Sequence, residues 1–174
     1  YGQNDESCIF NFANTDNCNS DYLFLDTISD TNNIWQIGHP QKIIFNSGVY
    51  NSANAIVTDL INPYPINDTS SFTIVHYCMY GFTYYLVATL SAGYRVDCDS
   101  LNDFGRIEFS PDNGNVWIDL LNDTAYEQYI VWDNPDNLKP TLTGNSQDWK
   151  HFSVNIGSLG PQFNIQPGDT VLYR

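Results

Sequence analysis

Residues 107–121 read Ile-Glu-Phe-Ser-Pro-Asp-Asn-Gly-Asn-Val-Trp-Ile-Asp-Leu-Leu, and this stretch decides the fold class. Its centre, Asn113-Gly114, is the dipeptide that two-residue hairpin turns prefer, because both central positions need a positive φ angle. Apolar side chains recur at every second position on both sides of the turn, at Ile107 and Phe109 and then at Val116, Ile118 and Leu120. A period of two predicts a hairpin of two strands, each with one face on a core.

The composition indicates one folded domain over residues 1–174. Of the 174 residues, 42% are hydrophobic and 15% are aromatic, which provides enough apolar surface for a core. The formal net charge is −14, with only 6 Lys and Arg residues. Such a surface repels a phosphate backbone, so nucleic-acid binding is excluded. Most acidic residues are Asp, which together with abundant Asn favours turns and loops over helix interiors.

Further strand signals are separated by turns rich in Gly, Pro, Asn and Asp. The longest signal is 71–80, which is apolar on both faces, as a strand in the middle of a sandwich would be. No long amphipathic helix is predicted, so the expected fold is an all-β, two-sheet antiparallel sandwich. The other candidate strands are 21–26, 55–61, 81–92, 126–132, 150–156 and the residues that come after the turn at 167–169.

The chain has four cysteines, Cys8, Cys18, Cys78 and Cys98, which allow three pairings. We favour Cys8 with Cys18 and Cys78 with Cys98, because each bridge closes a local loop. Each bridge would stabilise the fold by about 3 kcal/mol in the loop-entropy model and would need an oxidising compartment. A metal site is the alternative, but the sequence has no C-x-x-C pair and no His beside a Cys.

The sequence has no apolar run of about eighteen residues, so no membrane-spanning segment is predicted. Its first residues, Tyr-Gly-Gln-Asn-Asp-Glu-Ser, are polar and suit a mature protein from which a signal peptide has been removed. We therefore expect a secreted protein that is extracellular or on the outer cell surface.

Five short segments carry a family resemblance, in the order Trp35-x-x-Gly38-x-Pro40, 53–58, 62–66, 110–117 and Asp148-Trp149. Their order over residues 35–174 resembles the jelly-roll modules of secreted Bacteroidetes proteins, which are cargo of type IX secretion and are similar to MAM-type and carbohydrate-binding β-sandwiches. The resemblance implies a jelly roll. Such modules usually continue into a final strand pair, so we expect that the last strands are missing. Either the chain is the N-terminal part of a longer protein, or a partner completes the sheet.

No catalytic motif is recognisable in the sequence. His39, His76 and His151 lie far apart, and none has a Cys, Glu or second His at ligand spacing. H-E-x-x-H, G-x-S-x-G and phosphate-loop patterns are absent, and we expect Glu108 to face solvent rather than to serve in a glycosidase pair. A Ser/His/Asp triad assembled in space stays an alternative. We predict that the chain is not an enzyme.

Calcium is the ion that the sequence favours, and no other cofactor is predicted. Asn17-x-Asn19-x-Asp21 and Asp97-x-Asp99 present alternating carboxylate and amide oxygens, which are hard ligands of the kind that calcium prefers. Neither segment has the Gly and the distal Glu of an EF-hand loop. The resemblance implies that many related sandwiches hold one structural calcium. Solvated acidic loops are the stronger alternative at these two places.

Aromatic residues are the best indication of a binding surface, because sugar rings stack on exposed Tyr and Trp. Trp35, Trp117 and Trp149 fall at positions typical of the family and are expected in the core. Tyr84 and Tyr85 suit the core and the surface equally. The candidate ligand-binding residues are Tyr80, Tyr84, Tyr85, Tyr94 and Trp132.

Two kinds of glycosylation pattern occur. Asn67-Asp-Thr69 and Asn122-Asp-Thr124 match the N-glycosylation pattern, which applies only in a eukaryotic secretory route. Asp-Ser/Thr-apolar triplets resemble the sites that Bacteroidetes O-glycosylate in the periplasm. The acceptor residues would be Thr27, Ser100, Thr124 and Thr170.

Together these features predict a non-catalytic, extracellular module that binds a glycan or mediates cell-surface adhesion. The partner would be a glycan or a protein of the cell surface or the secretion machinery. The alternative is a structural or cargo module of a type IX-secreted protein, which would space or shield a neighbouring peptidase or sorting domain.

Overall fold

The computed structural model describes residues 8–10, 12, 21–26, 30–49, 52–78, 88–133 and 138–174. The chain divides into two compact units, Tyr1–Ile74 and Val75–Arg174. Each unit has buried residues of its own, such as Ala55 and Val57 in the first and Phe109 in the second. The assignment of one sandwich domain to residues 1–174 stays a prediction.

The described residues form ten strands in three antiparallel sheets, and the predicted all-β class is confirmed. The described residues include one short α-helix, α1 (Leu159–Phe163), and a 3-10 turn, Glu127–Tyr129. No helix among the described residues is long and apolar enough to cross a membrane.

The first unit contains a small two-stranded sheet. Its strands pair with Trp35 opposite Thr58 and with Gly38 opposite Ala55. The second of them ends before Asp59, whose φ angle is 56°, so the strand is shorter than the predicted 55–61. The strands of this unit are β1 (Asp21–Phe24), β2 (Trp35–Gly38) and β3 (Ala55–Thr58), and β4 (Thr73–Tyr77) crosses the unit boundary.

The second unit contains strands of two sheets. The strands are β5 (Thr89–Tyr94), β6 (Glu108–Ser110), β7 (Ile118–Asp119), β8 (Val131–Trp132), β9 (Lys150–Asn155) and β10 (Thr170–Tyr173). One sheet has the order β5-β9-β8, and the other includes β4, β10, β6 and β7 in that order. A strand was predicted over 126–132, but only its last two residues form one, β8. The 3-10 turn occupies the first half of that segment.

The two sheets of the second unit share one hydrophobic core, as in a β-sandwich. Phe109 and Ile118 project into it from one sheet, and Phe152 and Val154 project from the other. Six core residues have no exposed surface: Phe109, Ile118, Val154, Ile156, Leu159 and Val171. The alternating apolar positions that predicted strands in this unit are therefore the positions whose side chains are buried.

The hairpin that decided the fold class forms, but its turn is longer than predicted. Phe109 pairs with Ile118, so the loop between β6 and β7 contains residues 111–117. Asn113 and Gly114 do have positive φ angles, 57° and 94°. The prediction of a two-residue turn is wrong because side-chain hydrogen bonds within the loop replace the strand ladder. Val116, predicted to face the core, is exposed.

The second unit brings Arg174 next to the hairpin. Backbone hydrogen bonds of 2.9 and 2.8 Å join Arg174 to Glu108 in both directions, which extends the pairing of β10 with β6. The guanidinium carbon lies 4.0 Å from the centroid of the Trp117 ring. Trp117 is therefore half-buried beneath a cation and is not enclosed in the core as predicted.

The predicted disulfide between Cys78 and Cys98 is wrong, because both residues are free thiols. The surroundings of the two residues explain this. Cys78 is buried and its backbone pairs with Gly168 and Asp169 just before β10, whereas the Cys98 thiol contacts the carbonyl of Asp103 at 3.6 Å. Cys8 is disulfide-bonded, and its predicted partner Cys18 lies outside the described residues.

Candidate functional site

The predicted aromatic binding residues do not form one exposed site among the described residues. Trp132 is only 7% exposed and meets Phe152 at 6.1 Å in the core, so its predicted surface position is wrong. Tyr94 is half-buried against the same ring, and its hydroxyl accepts a hydrogen bond from the Thr141 amide at 3.3 Å. Tyr80, Tyr84 and Tyr85 lie outside the described residues.

Of the two segments predicted to bind calcium, one lies within the described residues and the other does so only in part. Asp97 accepts a hydrogen bond from the Asn145 side chain at 2.8 Å. Both oxygens of Asp99 accept bonds from their own loop, and no group of three or more His, Cys, Asp or Glu residues suited to a metal occurs in the described part of the chain. Asp21 lies in β1, while Asn17 and Asn19 are outside the described residues. Calcium binding stays a prediction.

The predicted glycosylation sites occupy different environments. Ser100 and Thr124 lie in exposed turns, where an enzyme could reach a hydroxyl. Thr170 is the first residue of β10 and is half-buried, so its hydroxyl is less accessible. Asn67 and Asn122 are both exposed, and Thr27 lies outside the described residues.

The outward surface of the β5-β9-β8 sheet is the most promising site. Leu90, Ala92 and Tyr94 of β5 pack on the core, so strand alternation turns Thr89, Ser91 and Gly93 to the opposite side. The register aligns these three with Asn155, Ser153 and His151 of β9, and it aligns Val131 and Asp133 with Asn155 and Ser153 from β8. We call this surface the outer face; its residues are Thr89, Ser91, Gly93, Val131, Asp133, His151, Ser153 and Asn155.

The outer face is polar and carries small side chains in its middle. Ser91 donates a hydrogen bond to the Ser153 hydroxyl at 2.9 Å across the strands. His151 is exposed and stands opposite Gly93, which has no side chain to cover the ring. Asp133 is also exposed, and within the described residues neither its carboxylate nor the His151 ring has a hydrogen bond or ion pair. Both groups can therefore reach a ligand.

Trp149 and Arg95 extend the outer face at one end. Arg95 directly follows β5 and Trp149 directly precedes β9, next to the last cross-strand pair, Tyr94 with Lys150. Both side chains are half-buried, and the Arg95 guanidinium donates a bond to the Gln147 carbonyl at 2.9 Å. Trp149 was expected in the core and is half-buried, with an indole nitrogen that has no exposed surface.

Two loops hold this end of the outer face in place. Backbone bonds of 2.8 Å from Cys98 to Gly144 and of 2.9 Å from Ser146 to Val96 join the loop after β5 to the loop before β9. The Thr143 hydroxyl also donates to the Asp103 carbonyl at 2.6 Å. The two loops thus form one hydrogen-bonded lobe, which fixes the positions where β5 ends and β9 begins.

The geometry of the outer face does not pair a nucleophile with a base. Ser153 and His151 lie two residues apart on one strand, a separation of about 6.6 Å. The Ser153 hydroxyl is bonded to Ser91, whereas nucleophilic catalysis needs a hydrogen bond between nucleophile and base. Of the other histidines, His39 bonds the Ala53 carbonyl at 2.7 Å and His76 is half-buried in β4.

A repeated turn motif, Asp-x-Ile/Leu-Asn, is a feature that sequence reasoning missed. In each copy the Asp Oδ1 accepts the amide of the third residue at 2.8 to 2.9 Å, and Oδ2 accepts the Asn side chain at 2.8 to 3.3 Å. These turns consume the oxygens that a metal would need. The copies are 59–62, 99–102 and 119–122.

Hydrogen bonds of this motif lower the pKa of two carboxyl groups. For Asp59 the amide bonds from Asn62 and Ile61 are the main cause. For Asp99 the amide of Leu101 is the main cause, followed by the side chain of Asn102. Donors that satisfy the charged form favour it over the protonated form. The motif therefore holds these two aspartates as stable anions within their turns.

Comparisons with known proteins leave the family open. No family model, no curated protein and no solved structure matches this chain.

Proposed function

We propose that the chain is a non-catalytic extracellular module that binds a glycan, or adheres to a glycan-bearing surface, through the outer face. The observation that carries this proposal is the exposed row of polar groups on that face. Ser91, Ser153, His151 and Asp133 lie there on adjacent strands, with the partly exposed Trp149 at one end.

The chemistry of these groups suits a sugar. Hydroxyls and imidazole nitrogens can donate or accept hydrogen bonds, and the Asp133 carboxylate accepts them from sugar hydroxyls. An indole face such as that of Trp149 can stack on the apolar side of a sugar ring. Because the net charge is −14, the protein repels acidic polymers, so a neutral glycan is the expected ligand.

Two further features support an extracellular, non-enzymatic role. The disulfide at Cys8 suits an oxidising compartment. Ser153, the serine of β9 that lies near His151, is hydrogen-bonded to Ser91. This arrangement favours binding over acyl transfer. The chain also lacks the motifs of common hydrolases.

A glycan array followed by calorimetry on the whole chain tests the proposal. The variants His151→Ala and Asp133→Ala should each weaken binding by about tenfold, the value of one hydrogen bond to a ligand. Thr124→Ala, in an exposed turn away from the strands, is the matched control and should bind as the unchanged protein does. Equal affinities for all three variants would place the glycan elsewhere, and no binding at all would remove the glycan claim.

The second candidate is a structural or cargo module of a secreted protein. It is favoured by the mutual bond of Ser91 and Ser153, since satisfied polar side chains also suit a sheet face that only meets water. Fusing the chain to a reporter protease and measuring proteolysis of the fusion would test it. The spacer role predicts protection of the neighbour without any effect of His151→Ala.

A further inference from the structure

The loop that joins β6 and β7 holds a reactive dipeptide. Asn113 and Gly114 have φ angles of 57° and 94°, and the Asn113 side chain is exposed. In an Asn-Gly pair the absence of a side chain on Gly lets its backbone nitrogen approach the preceding amide. This loop is separate from the outer face, so its chemistry does not depend on the proposed glycan binding.

The chemistry available to this pair is cyclic imide formation. The Gly114 nitrogen loses its proton and forms a bond to Asn113 Cγ, and the side-chain nitrogen leaves as ammonia. Water then opens the five-membered imide at either carbonyl. The products are Asp or isoaspartate, and both add one negative charge in place of the neutral amide.

The structure restrains the attacking nitrogen. The Gly114 N–H donates a hydrogen bond to the Ser110 hydroxyl at 2.8 Å, and this hydroxyl donates to Asp112 Oδ1 at 3.0 Å. The same carboxylate oxygen accepts the Val116 amide at 2.8 Å. Ser110 has no exposed surface, so its hydroxyl cannot turn to solvent without opening the loop.

We propose that Asn113 is a site of spontaneous modification and that the Ser110 hydroxyl, held by Asp112, slows the reaction in the folded protein. The Gly114 nitrogen must break its bond to Ser110 before it can attack. Conversion therefore proceeds mainly from loop conformations in which this bond is open.

Modification would affect the hairpin that decides the fold. Isoaspartate inserts a methylene into the backbone between Phe109 and Ile118, which are paired and fully buried. Asp at position 113 would add a carboxylate close in sequence to Asp112. Accumulated product would thus weaken the β6–β7 pairing, so the protein carries an age-dependent change at this hairpin.

Peptide mass spectrometry during incubation at neutral pH and 37 °C tests the proposal. The readout is the fraction of the 107–121 peptide in which an amide has become a carboxyl. The folded chain should convert more slowly than the isolated 107–121 peptide. Ser110→Ala should raise the rate in the folded chain by about threefold to tenfold, as the loss of one hydrogen bond allows.

Two further variants keep the test decisive. Ser158→Ala is the matched control, because Ser158 is exposed and its side chain caps no helix bond; its conversion rate should equal that of the unchanged chain. Asp112→Ala leaves Ser110 in place but releases its hydroxyl, so it should also speed conversion, and it serves if Ser110→Ala does not fold.

Three outcomes would overturn the proposal. The first is a folded chain that converts as fast as the peptide. The second is a rate unchanged by Asp112→Ala. The third is slower conversion in Ser110→Ala, which would mean that the hydroxyl assists proton removal from Gly114 and does not restrain it.

Discussion

Replacing Arg174 with alanine should lower the free energy of unfolding by about 1 to 2 kcal/mol. The guanidinium carbon lies 4.0 Å from the centroid of the Trp117 ring, and Nη2 lies 2.7 Å from Glu108 Oε2. A cation over tryptophan contributes about 0.5 to 1 kcal/mol at such sites. The Arg174 side chain is 35% exposed, so the ion pair is screened by solvent and adds at most about 1 kcal/mol.

Lys139→Ala provides the matched control. Lys139 pairs with Glu127 at 3.0 Å, but the two side chains are 41% and 60% exposed, and no aromatic ring lies under the ammonium group within the described residues. This ion pair should contribute no more than about 0.5 kcal/mol. Lys139 also donates a hydrogen bond to the Leu121 carbonyl at 3.1 Å, so this variant shows what an exposed ion pair with one further hydrogen bond contributes.

Urea unfolding followed by far-ultraviolet circular dichroism gives both values, and a double-mutant cycle with Trp117→Leu measures the coupling directly. The coupling energy should be about 0.5 to 1 kcal/mol and should survive added salt, because salt screens exposed ion pairs more than ring contacts. A coupling of zero, or an equal loss in Arg174→Ala and Lys139→Ala, would refute the reasoning.

Three further predictions concern other parts of the chain. Hydrogen bonds lower the pKa of Asp99 below its usual 3.8, so this turn should stabilise the fold above that pH and lose its contribution as the pH falls through the lowered pKa. The urea midpoint of Asp99→Asn, which lacks the charge, should change less over this acid range than the midpoint of the unchanged protein. Ile118→Ala should cost about 2 to 5 kcal/mol, since the side chain is fully buried, and a loss under 1 kcal/mol in calorimetry would contradict the core assignment. Thiol labelling should modify the half-exposed Cys98 in the native protein and the buried Cys78 only on unfolding; equal rates would contradict their placement.

The strands could be predicted because their signal is local. Phe152, Val154 and Ile156 alternate with polar residues in the sequence, and all three are buried. The same logic predicted that Phe109 and Ile118 of the hairpin face the core, and both are fully buried. Burial on one face of a strand imposes a period of two, and this period can be read without knowing any long-range contact.

The turn and the disulfide could not be predicted by the same means. The loop at 111–117 depends on the Ser110 hydroxyl and the Asp112 carboxylate as hydrogen-bond partners, and no two-residue turn rule includes them. The pairing of Cys78 with Cys98 was predicted from their closeness in sequence. Bridging requires side chains that approach in space. The Cys78 backbone bonds Gly168 and Asp169, whereas the Cys98 thiol contacts the Asp103 carbonyl.

The tryptophans show why the binding residues were harder to predict than the fold. Trp132 was expected at the surface and is buried, whereas Trp149 was expected in the core and is partly exposed. Both assignments depend on which side of a strand faces the partner sheet. Composition supplies the aromatic residues, but the strand pairing that sets Trp132 beside the buried Val154 cannot be read from it.

The register that buries the core also fixes the outer face, so the two cannot vary independently. Val154 is fully buried between β5 and β8, with Leu90 and Trp132 as its cross-strand neighbours. A slip of one residue in β9 would expose Val154 and turn His151 inward. Exposing the Val154 side chain would cost about 1.5 to 3 kcal/mol. The same free energy therefore keeps the His151 imidazole at the surface. Selection for a stable sandwich keeps the candidate site in place, and substitutions on the outer face can change binding without disturbing the core.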